Sequence, residues 1–275
     1  LKISVIAPVK NEFPWLGYSI YAAAPFVHEF VYTVASDSND GTVELLEYLK
    51  PRFGNKLKFF ISSKYAFDPL DMASYNRAYN DAVDESEGDA ILYLHPDMII
   101  TKGAVLEEGP LVWWTNVTSF AVDFHTKISN GRASCWKNIH AKKFGLHYYG
   151  AYGSHSEDFY FRDITGNAYK HHDDQFLKYP FEVRESGFSI NHYCELKPYR
   201  RRLEKMKLCL KTQHPGFDDR VIEQMASYHP RVILDPGNEK FGKFEFVPSD
   251  EQIPDVITKH KEEFEAIRKR EVCYV

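Results

Sequence analysis

The chain has 275 residues, which suits one large α/β domain or a domain with a sizeable appendage, and its 44% hydrophobic and 27% charged residues are those of a globular protein rather than a disordered or fibrous one. A net charge of −5 disfavours nucleic acid as a general partner, because counterion release needs clustered Lys and Arg; the one basic cluster, KPYRRRLEKMK from Lys197, reads first as a solvated helix face. No apolar run reaches the length of a membrane span, no signal-peptide pattern is present, and Cys135, Cys194, Cys209 and Cys273 form no CxxC pair, so reduced thiols in a cytoplasmic protein are expected rather than a zinc or disulfide framework.

KISVIAP is a continuous apolar run, expected for a strand buried on both faces. FPWLGYSIYAAAPF follows as a helix with Pro14 near its start, and HEFVYTVAS as a second strand. SNDGTVELLEYLKPRF is a turn feeding a helix that stops around Pro51, and KLKFFIS is a third strand. Met72, Tyr75, Tyr79 and Val83 have helical spacing. DAILYLHPDMII is expected as a fourth strand. Beyond Thr101 the pattern loosens: SFAVDFHTK is a candidate strand, and Asn130 to Lys170 reads as irregular loops and short strands over a site. DDQFLKYPFEVRESG is expected as a helix interrupted near Pro180 and ending at Gly187, before a short strand FSINHY. LKPYRRRLEKMKLCLK, DDRVIEQMASY and PDVITKHKEEFEAIRKR are expected to be helical. Strands alternating with helices imply an α/β fold with a mostly parallel, Rossmann-like sheet and a helical C-terminal tail.

Four polar stretches fall at or just after strand ends. They are APVKNE (Ala7 to Glu12), SDSNDGT (Ser36 to Thr42), NRAYNDA (Asn76 to Ala82) on a helix, and HPD (His95 to Asp97). Each has an ordinary explanation alone: Asn11, Glu12 and Asp97 as caps, SNDGT as a turn, Arg77 as a surface charge. Together they line one cleft beyond the carboxyl ends of the strands, where an open α/β sheet takes its ligand.

The order of these motifs resembles the GT-A glycosyltransferases of family 2. That family opens on a strand ending Pro-x-x-Asn-Glu, as APVKNE does. It continues with Asp-Asp-x-Ser-x-Asp-Gly-Thr, to which ASDSNDGT is similar, then an Asn-x-Ala helix leading through Gly-Asp into a strand that ends in a DxD motif, here HPD. The resemblance covers roughly the first hundred residues. It implies a GT-A fold and a nucleotide-sugar donor, with UDP favoured, held with Mn²⁺ or Mg²⁺. Pro8, Val9, Lys10, Asn11 and Glu12 would border the nucleoside, with Arg77 at the diphosphate, where a guanidinium suits phosphate geometry. Asp97 keeps the last DxD position as metal ligand. His95 replaces the first Asp, beside both nucleotide and metal, and tilts the site toward Mn²⁺, which accepts imidazole more readily than Mg²⁺. Ser36 stands where the family has an acid that contacts base or ribose, with Asp37 as the neighbour that compensates. His192 corresponds to a further metal ligand in some members.

Inverting members use a carboxylate to deprotonate the acceptor hydroxyl, in an acidic pair that opens a helix. Asp174, then Asp173, fits that place, with capping as the competing role; Asp158, beside Glu157 in SEDFYF, is the rival. Trp136, Tyr148, Tyr149 and Tyr152 are candidates for an aromatic acceptor floor as well as for core, and Arg200 to Arg202 for a second diphosphate contact or a solvated face. His171 and His172 suggest no zinc site. The expected layout is a catalytic domain over 1–195, with 1–100 binding the donor and 101–195 serving acceptor and catalysis, and a helical extension over 196–275. The expected function is transfer of a sugar to a saccharide or other hydroxyl acceptor, a nucleic acid acceptor being only weakly suggested by PYRRRLEKMK. The alternatives are a non-catalytic nucleotide-sugar or glycan-binding module, and a nucleotidyltransferase, which usually carries a Gly-rich basic loop that APVKNEFPW lacks.

Overall fold

An apolar run without alternation must be covered on both faces, and the chain meets that demand with helices on either side of one sheet. The computed structural model describes residues 1–63, 72–110, 112–120, 126–129, 135–142, 147–149, 160–162, 168–170, 183–193, 245–248 and 252–272, with single positions between 196 and 223. β1 (Ile3–Val9) and β2 (Glu29–Ala35) are buried at every position. Ile3, Val5, Ala7 and Val9 share a core with Phe30, Tyr32, Val34, Ala90 and Leu92, covered by α1 (Trp15–Ala23), α2 (Thr42–Phe53) and the C-terminal α4 (Asp255–Val272). Ile6, Val31, Ile91 and Tyr93 face the other way, onto Tyr79, Ala82 and Val83 of α3 (Met72–Asp84).

The eight-stranded sheet runs β3-β2-β1-β4-β8-β6-β12-β5. Its strands beyond the first two are β3 (Leu57–Ser62), β4 (Ala90–Tyr93), β5 (Met98–Lys102), β6 (Val112–Ser119), β8 (Cys135–Ala141) and β12 (Val183–His192). The pairings β3–β2, β2–β1, β1–β4 and β6–β12 are parallel. The pairings β4–β8, β8–β6 and β12–β5 are antiparallel. The parallel character therefore belongs mainly to the first hundred residues. A small antiparallel sheet joins β9 (His147–Tyr149), β10 (Tyr160–Arg162) and β11 (Ala168–Lys170), and β7 (Thr126–Ser129) pairs with β13 (Glu245–Pro248).

After β1 the chain winds to one side through β2 and β3, then crosses to the other side for β4, so the order reverses between β1 and β4. The last rung there pairs Ile6 with Tyr93 and sends the Leu94 N–H to the Ile6 carbonyl at 3.4 Å. Continuing that register, the next rung would need the N–H groups of Pro8 and Pro96, and a proline has none. The two strands therefore part at this point.

Several expected elements differ. DAILYLHPDMII is two strands, β4 and β5, because Pro96 cannot continue the ladder and the Met98 N–H closes a turn on the His95 carbonyl at 2.9 Å. Of the strand expected at SFAVDFHTK, Ser119 ends β6 and Thr126–Lys127 open β7, while residues 121–125 lie outside the described residues; β6 itself precedes that stretch, where the polar Thr115, fully buried, hides the period. Within 130–170, β8 is a full strand of the central sheet. Ile139 and Ala141 face the main core while His140, also buried, meets Tyr93 edge-on at 5.3 Å. The helix expected to end at Gly187 is a strand at least from Val183; Gly187, at φ 77°, lies where the β6–β12 register shifts, so this glycine marks a bulge and not a helix stop. α2 continues through Pro51 to Phe53 because the Gly54 N–H reaches back to the Lys50 carbonyl and completes the final turn.

Beyond residue 196, the described elements β13 and α4 fold back onto the rest of the chain. β13 pairs with β7, and α4 packs on α1 so closely that a Cβ on Gly17 would lie 2.5 Å from Cζ of the fully buried Phe264. His260 stacks on Tyr21 at 3.8 Å, and Arg52 donates to Tyr21 Oη at 2.6 Å and Glu263 Oε1 at 2.5 Å. Among the described residues no helix is long and apolar enough to cross a membrane.

The amino-terminal ends of the parallel strands are held by a buried acid. Glu29 opens β2 with 1% of its surface exposed. It accepts from Ser4 Oγ at 2.6 Å and from the Glu87 N–H, and pairs with Lys58 at 2.9 Å, while Ser4 Oγ in turn takes the Gly88 N–H at 2.8 Å. Burial alone would raise this carboxyl; the Ser4, Glu87 and Lys58 contacts outweigh it and hold the group below its ordinary 4.5. A carboxyl held low in the folded state protonates first in the unfolded chain, so its contribution is complete above the ordinary value and lost as pH falls through the lower folded one. Glu29→Gln is expected to lower unfolding free energy by about 2 kcal/mol near neutral pH and to flatten the loss of stability below about pH 5. Urea unfolding of both proteins across that range checks this, and identical pH slopes would assign the acid sensitivity elsewhere.

Candidate functional site

The loops that leave β1 and β2 are tied together by main-chain donors and short side chains. Asn11 adopts φ 56°, a left-handed conformation that Asn tolerates better than most residues. Its Oδ1 accepts the Asn39 N–H at 2.7 Å, and its own N–H reaches Ser38 Oγ at 3.4 Å. The Glu12 N–H donates to Thr42 Oγ1 at 2.7 Å and the Phe13 N–H to Asp40 Oδ2 at 3.0 Å. Asp40 Oδ1 also takes the Thr42 N–H at 3.1 Å and hydroxyl at 2.5 Å. Asp40 and Thr42, which the sequence offers as part of the SDSNDGT stretch without an individual role, thus clamp the first loop to the second. Gly41 stands between them at φ 94°, just ahead of α2, where a side chain would be strained.

Lys10 and Asp37 pair at 2.6 Å, with 60% of the Asp37 side chain exposed. Such a pair contributes little stability and can exchange for a ligand. Ser36 is exposed beside it and donates its N–H to the Ser62 carbonyl at 3.2 Å. Pro8 and Val9 are buried within β1, Val9 with no exposed surface. Arg77 is exposed on the second turn of α3, which the Thr33 hydroxyl fixes over the end of β2 by donating to the Ala78 carbonyl at 2.7 Å.

His95 and Asp97 lie on the turn between β4 and β5, just past the rung where β4 leaves β1. β5 runs back beside β12, pairing Met98 with His192, and β12 pairs His192 with Ser119 of β6. The Tyr193 N–H donates to the Asp97 carbonyl at 2.9 Å and the Phe120 N–H to the His192 carbonyl at 2.9 Å. His192, nearly a hundred residues away in sequence, is thereby delivered to the HPD turn. Its Nε2 lies 3.4 Å from Asp97 Oδ1, and its ring stands 6.2 Å from His95 at an interplanar angle of 87°. One donor atom from each of His95, Asp97 and His192 falls within 4.8 Å of the others.

Asp97 is 3% exposed and His192 6%. A carboxylate this buried needs compensating charge or donors, and the neighbouring imidazole and a bound cation both suit that need. Two imidazoles and one carboxylate form a borderline donor set that fits Mn²⁺ and later first-row dications better than Mg²⁺, which favours oxygen. Three protein ligands leave coordination positions open for a substrate.

Under this cluster lies a group of rings that sequence reasoning misses. Tyr193 stacks on Trp15 at 5.3 Å and on Phe120 at 5.0 Å. In the sequence these are three separated aromatics, each of which reads as ordinary core. Asp158, Asp173 and Asp174 lie outside the described residues, as do Glu157, His171, His172, Tyr152 and Arg200 to Arg202. Trp136 belongs to β8, and Tyr148 and Tyr149 to β9, which runs beside α3.

No protein-family model matches the chain, and no curated protein does. Among solved structures it is similar to the crystal structure of GalNAc-T7 with UDP, GalNAc and Mn²⁺, at 13% identity over 70% of this chain and 44% of that one, with a TM-score of 0.38. It is also similar to the crystal structure of HddC from Yersinia pseudotuberculosis, at 14% identity over 68% of this chain and 92% of that one, with a TM-score of 0.37. The chain spans less than half the length of the first protein. Both are distant likenesses in the path of the chain, too remote to carry a ligand or an activity across.

The geometry leads to a direct test. Asp97→Asn and His192→Ala should each weaken Mn²⁺ binding by about tenfold or more, read from the free-ion signal in electron paramagnetic resonance. Asp89→Asn, at an exposed acid just before β4 and thus at the opposite end of that strand, should leave it unchanged. Equal affinities in all three variants would show that the cluster holds no cation.

Proposed function

We propose that this protein is a metal-dependent GT-A glycosyltransferase, similar to family 2, that moves a sugar from a nucleotide donor, UDP-sugar foremost, to an acceptor hydroxyl. The observation that carries the reading is the convergence of His95, Asp97 and His192 at the reversal between β1 and β4, beside the clamped loops that follow β1 and β2. A sheet reversal is where an α/β fold accommodates a nucleotide, and a buried acid with two imidazoles there suits a cation that bridges to a diphosphate.

In this reading Pro8 to Glu12 and Ser36–Asp37 border base and ribose, and the Lys10–Asp37 pair opens to admit them. Arg77 approaches the diphosphate. Asp97, His192 and His95 would hold the cation, which would offset negative charge on the leaving diphosphate. The acceptor oxygen forms a bond to the anomeric carbon from the face opposite the leaving group, the bond to the diphosphate oxygen breaks, and the acceptor proton passes to a carboxylate. Asp174 is the proposed base, Asp173 the second choice and Asp158 the rival. Residues 1–195 form the catalytic unit, and 196–275 an extension whose β13 and α4 fold back on it.

The departure from DxD at His95 favours a non-catalytic binding module when the motif is taken alone. His192 weakens that alternative, because it supplies a further donor beside Asp97. The nucleotidyltransferase alternative lacks support at the β1–α1 loop, which is neither Gly-rich nor basic beyond Lys10.

Asp174→Asn should reduce transfer by about 10²-fold or more with donor affinity near normal, while Asp158→Asn does much less. Transfer and donor hydrolysis are measured across several nucleotide sugars, with and without Mn²⁺. Loss of transfer in Asp158→Asn alone would move the base to SEDFYF. Absence of Mn²⁺-dependent turnover with every donor would favour the binding module.

A further inference from the structure

The three donors of the cluster hang from two strand ends, and the sheet ladder is not all that fixes their spacing. Tyr193 follows His192 directly and donates its N–H to the Asp97 carbonyl at 2.9 Å. Its ring is 1% exposed and lies against Trp15 on one side, at an interplanar angle of 21°, and Phe120 on the other, at 27°. Its hydroxyl accepts from Nδ2 of the buried Asn191 at 3.0 Å. Trp15 is the first residue of α1 and itself buried, directly after the loop that Ser38, Asp40 and Thr42 hold by its backbone N–H groups. One stack of rings therefore joins the start of α1 to the ends of β12 and β6.

We infer that Trp15 and Tyr193 are positioning residues for the divalent cation: the stack sets where His192 sits relative to Asp97, so cation affinity depends on a ring carried by α1. The inference rests on the proposed metal site at His95, Asp97 and His192. Its physical basis is preorganisation. A coordination set binds tightly when its members are held in place before the ion arrives, and the groups that hold them matter for affinity without ligating. The backbone bond from Tyr193 to Asp97 makes the two donor-bearing segments move as one, and the rings on either side restrict where Tyr193 can go. Because Trp15 continues from the nucleotide-side loop, the same stack ties the placement of that loop to the metal donors.

Ordinary core packing is the competing explanation, and it makes a different forecast. A ring that only fills space would, when removed, lower stability and leave the affinity of the folded protein untouched. The full chain is titrated with Mn²⁺ well below its unfolding temperature, with folding of each variant verified by near-ultraviolet circular dichroism. Trp15→Leu should raise the Mn²⁺ dissociation constant by about tenfold and broaden the spectrum of the bound ion. Trp15→Phe, which keeps an aromatic face against Tyr193, should recover most of the loss. Tyr32→Leu removes a still more buried ring from β2 and should lower stability alone. Should Trp15→Leu fail to fold, Phe120→Leu removes the ring on the other side of Tyr193 and carries the same comparison. Wild-type affinity in the Trp15 and Phe120 variants, with the wild type binding Mn²⁺, overturns this inference alone. A wild type that binds no Mn²⁺ overturns the metal site and this inference with it.

Discussion

Two prolines decide where the central strands of this molecule part. Pro8 in β1 and Pro96 after β4 stand where the parallel ladder between these strands would form its next rung, and neither has an N–H to give. The central strands must part there, at the place where the strand order reverses. The opening is thus set by backbone hydrogen bonding before any side chain contributes. Pro96 also turns one apolar run into two strands, and the turn between them carries the half-buried His95 and the buried Asp97 to the place where the strands part.

Strand pairing then assembles the cluster. Once β5 turns back it needs a partner, and β12 supplies it in a register that sets His192 against Met98. A shift of one residue would send His192 to the other face of the sheet and leave Asp97 buried without its imidazole neighbour. The bulge at Gly187 lies upstream in β12, so the strand can change register against β6 and still reach Asp97 correctly. The cluster is therefore a consequence of long-range sheet pairing, and the ring stack of Trp15, Tyr193 and Phe120 seats that pairing against the first helix.

Dependence on distant pairing explains which parts were legible in the sequence. β1, β2, β3 and the first three helices have clear periods and turn residues, and their loops carry the Asn11–Glu12 and Asp40–Thr42 pairs at strand ends, so the fold of the first hundred residues could be read locally. His192 was reachable only through the family resemblance, because nothing near Asn191 or Tyr193 indicates a partner at Asp97. β6 and β8 were obscured because Thr115 and His140 occupy fully buried positions, where hydrophobic alternation expects apolar residues. Gly187 misled for a related reason: the glycine that ends a helix and the glycine that relieves a bulge look alike in sequence, and only the partner strand tells them apart.

The central claim is that His95, Asp97 and His192 hold one divalent cation where a nucleoside diphosphate can reach it. Crystals grown with Mn²⁺ and UDP, with diffraction recorded at the manganese absorption edge, test it directly. The expected result is one strong anomalous peak within coordination distance of the two imidazoles and the Asp97 carboxylate, with diphosphate oxygens completing the shell beside the β1–β4 opening. A well-ordered UDP with manganese bound elsewhere, or with His192 turned away from the ion, would contradict the claim.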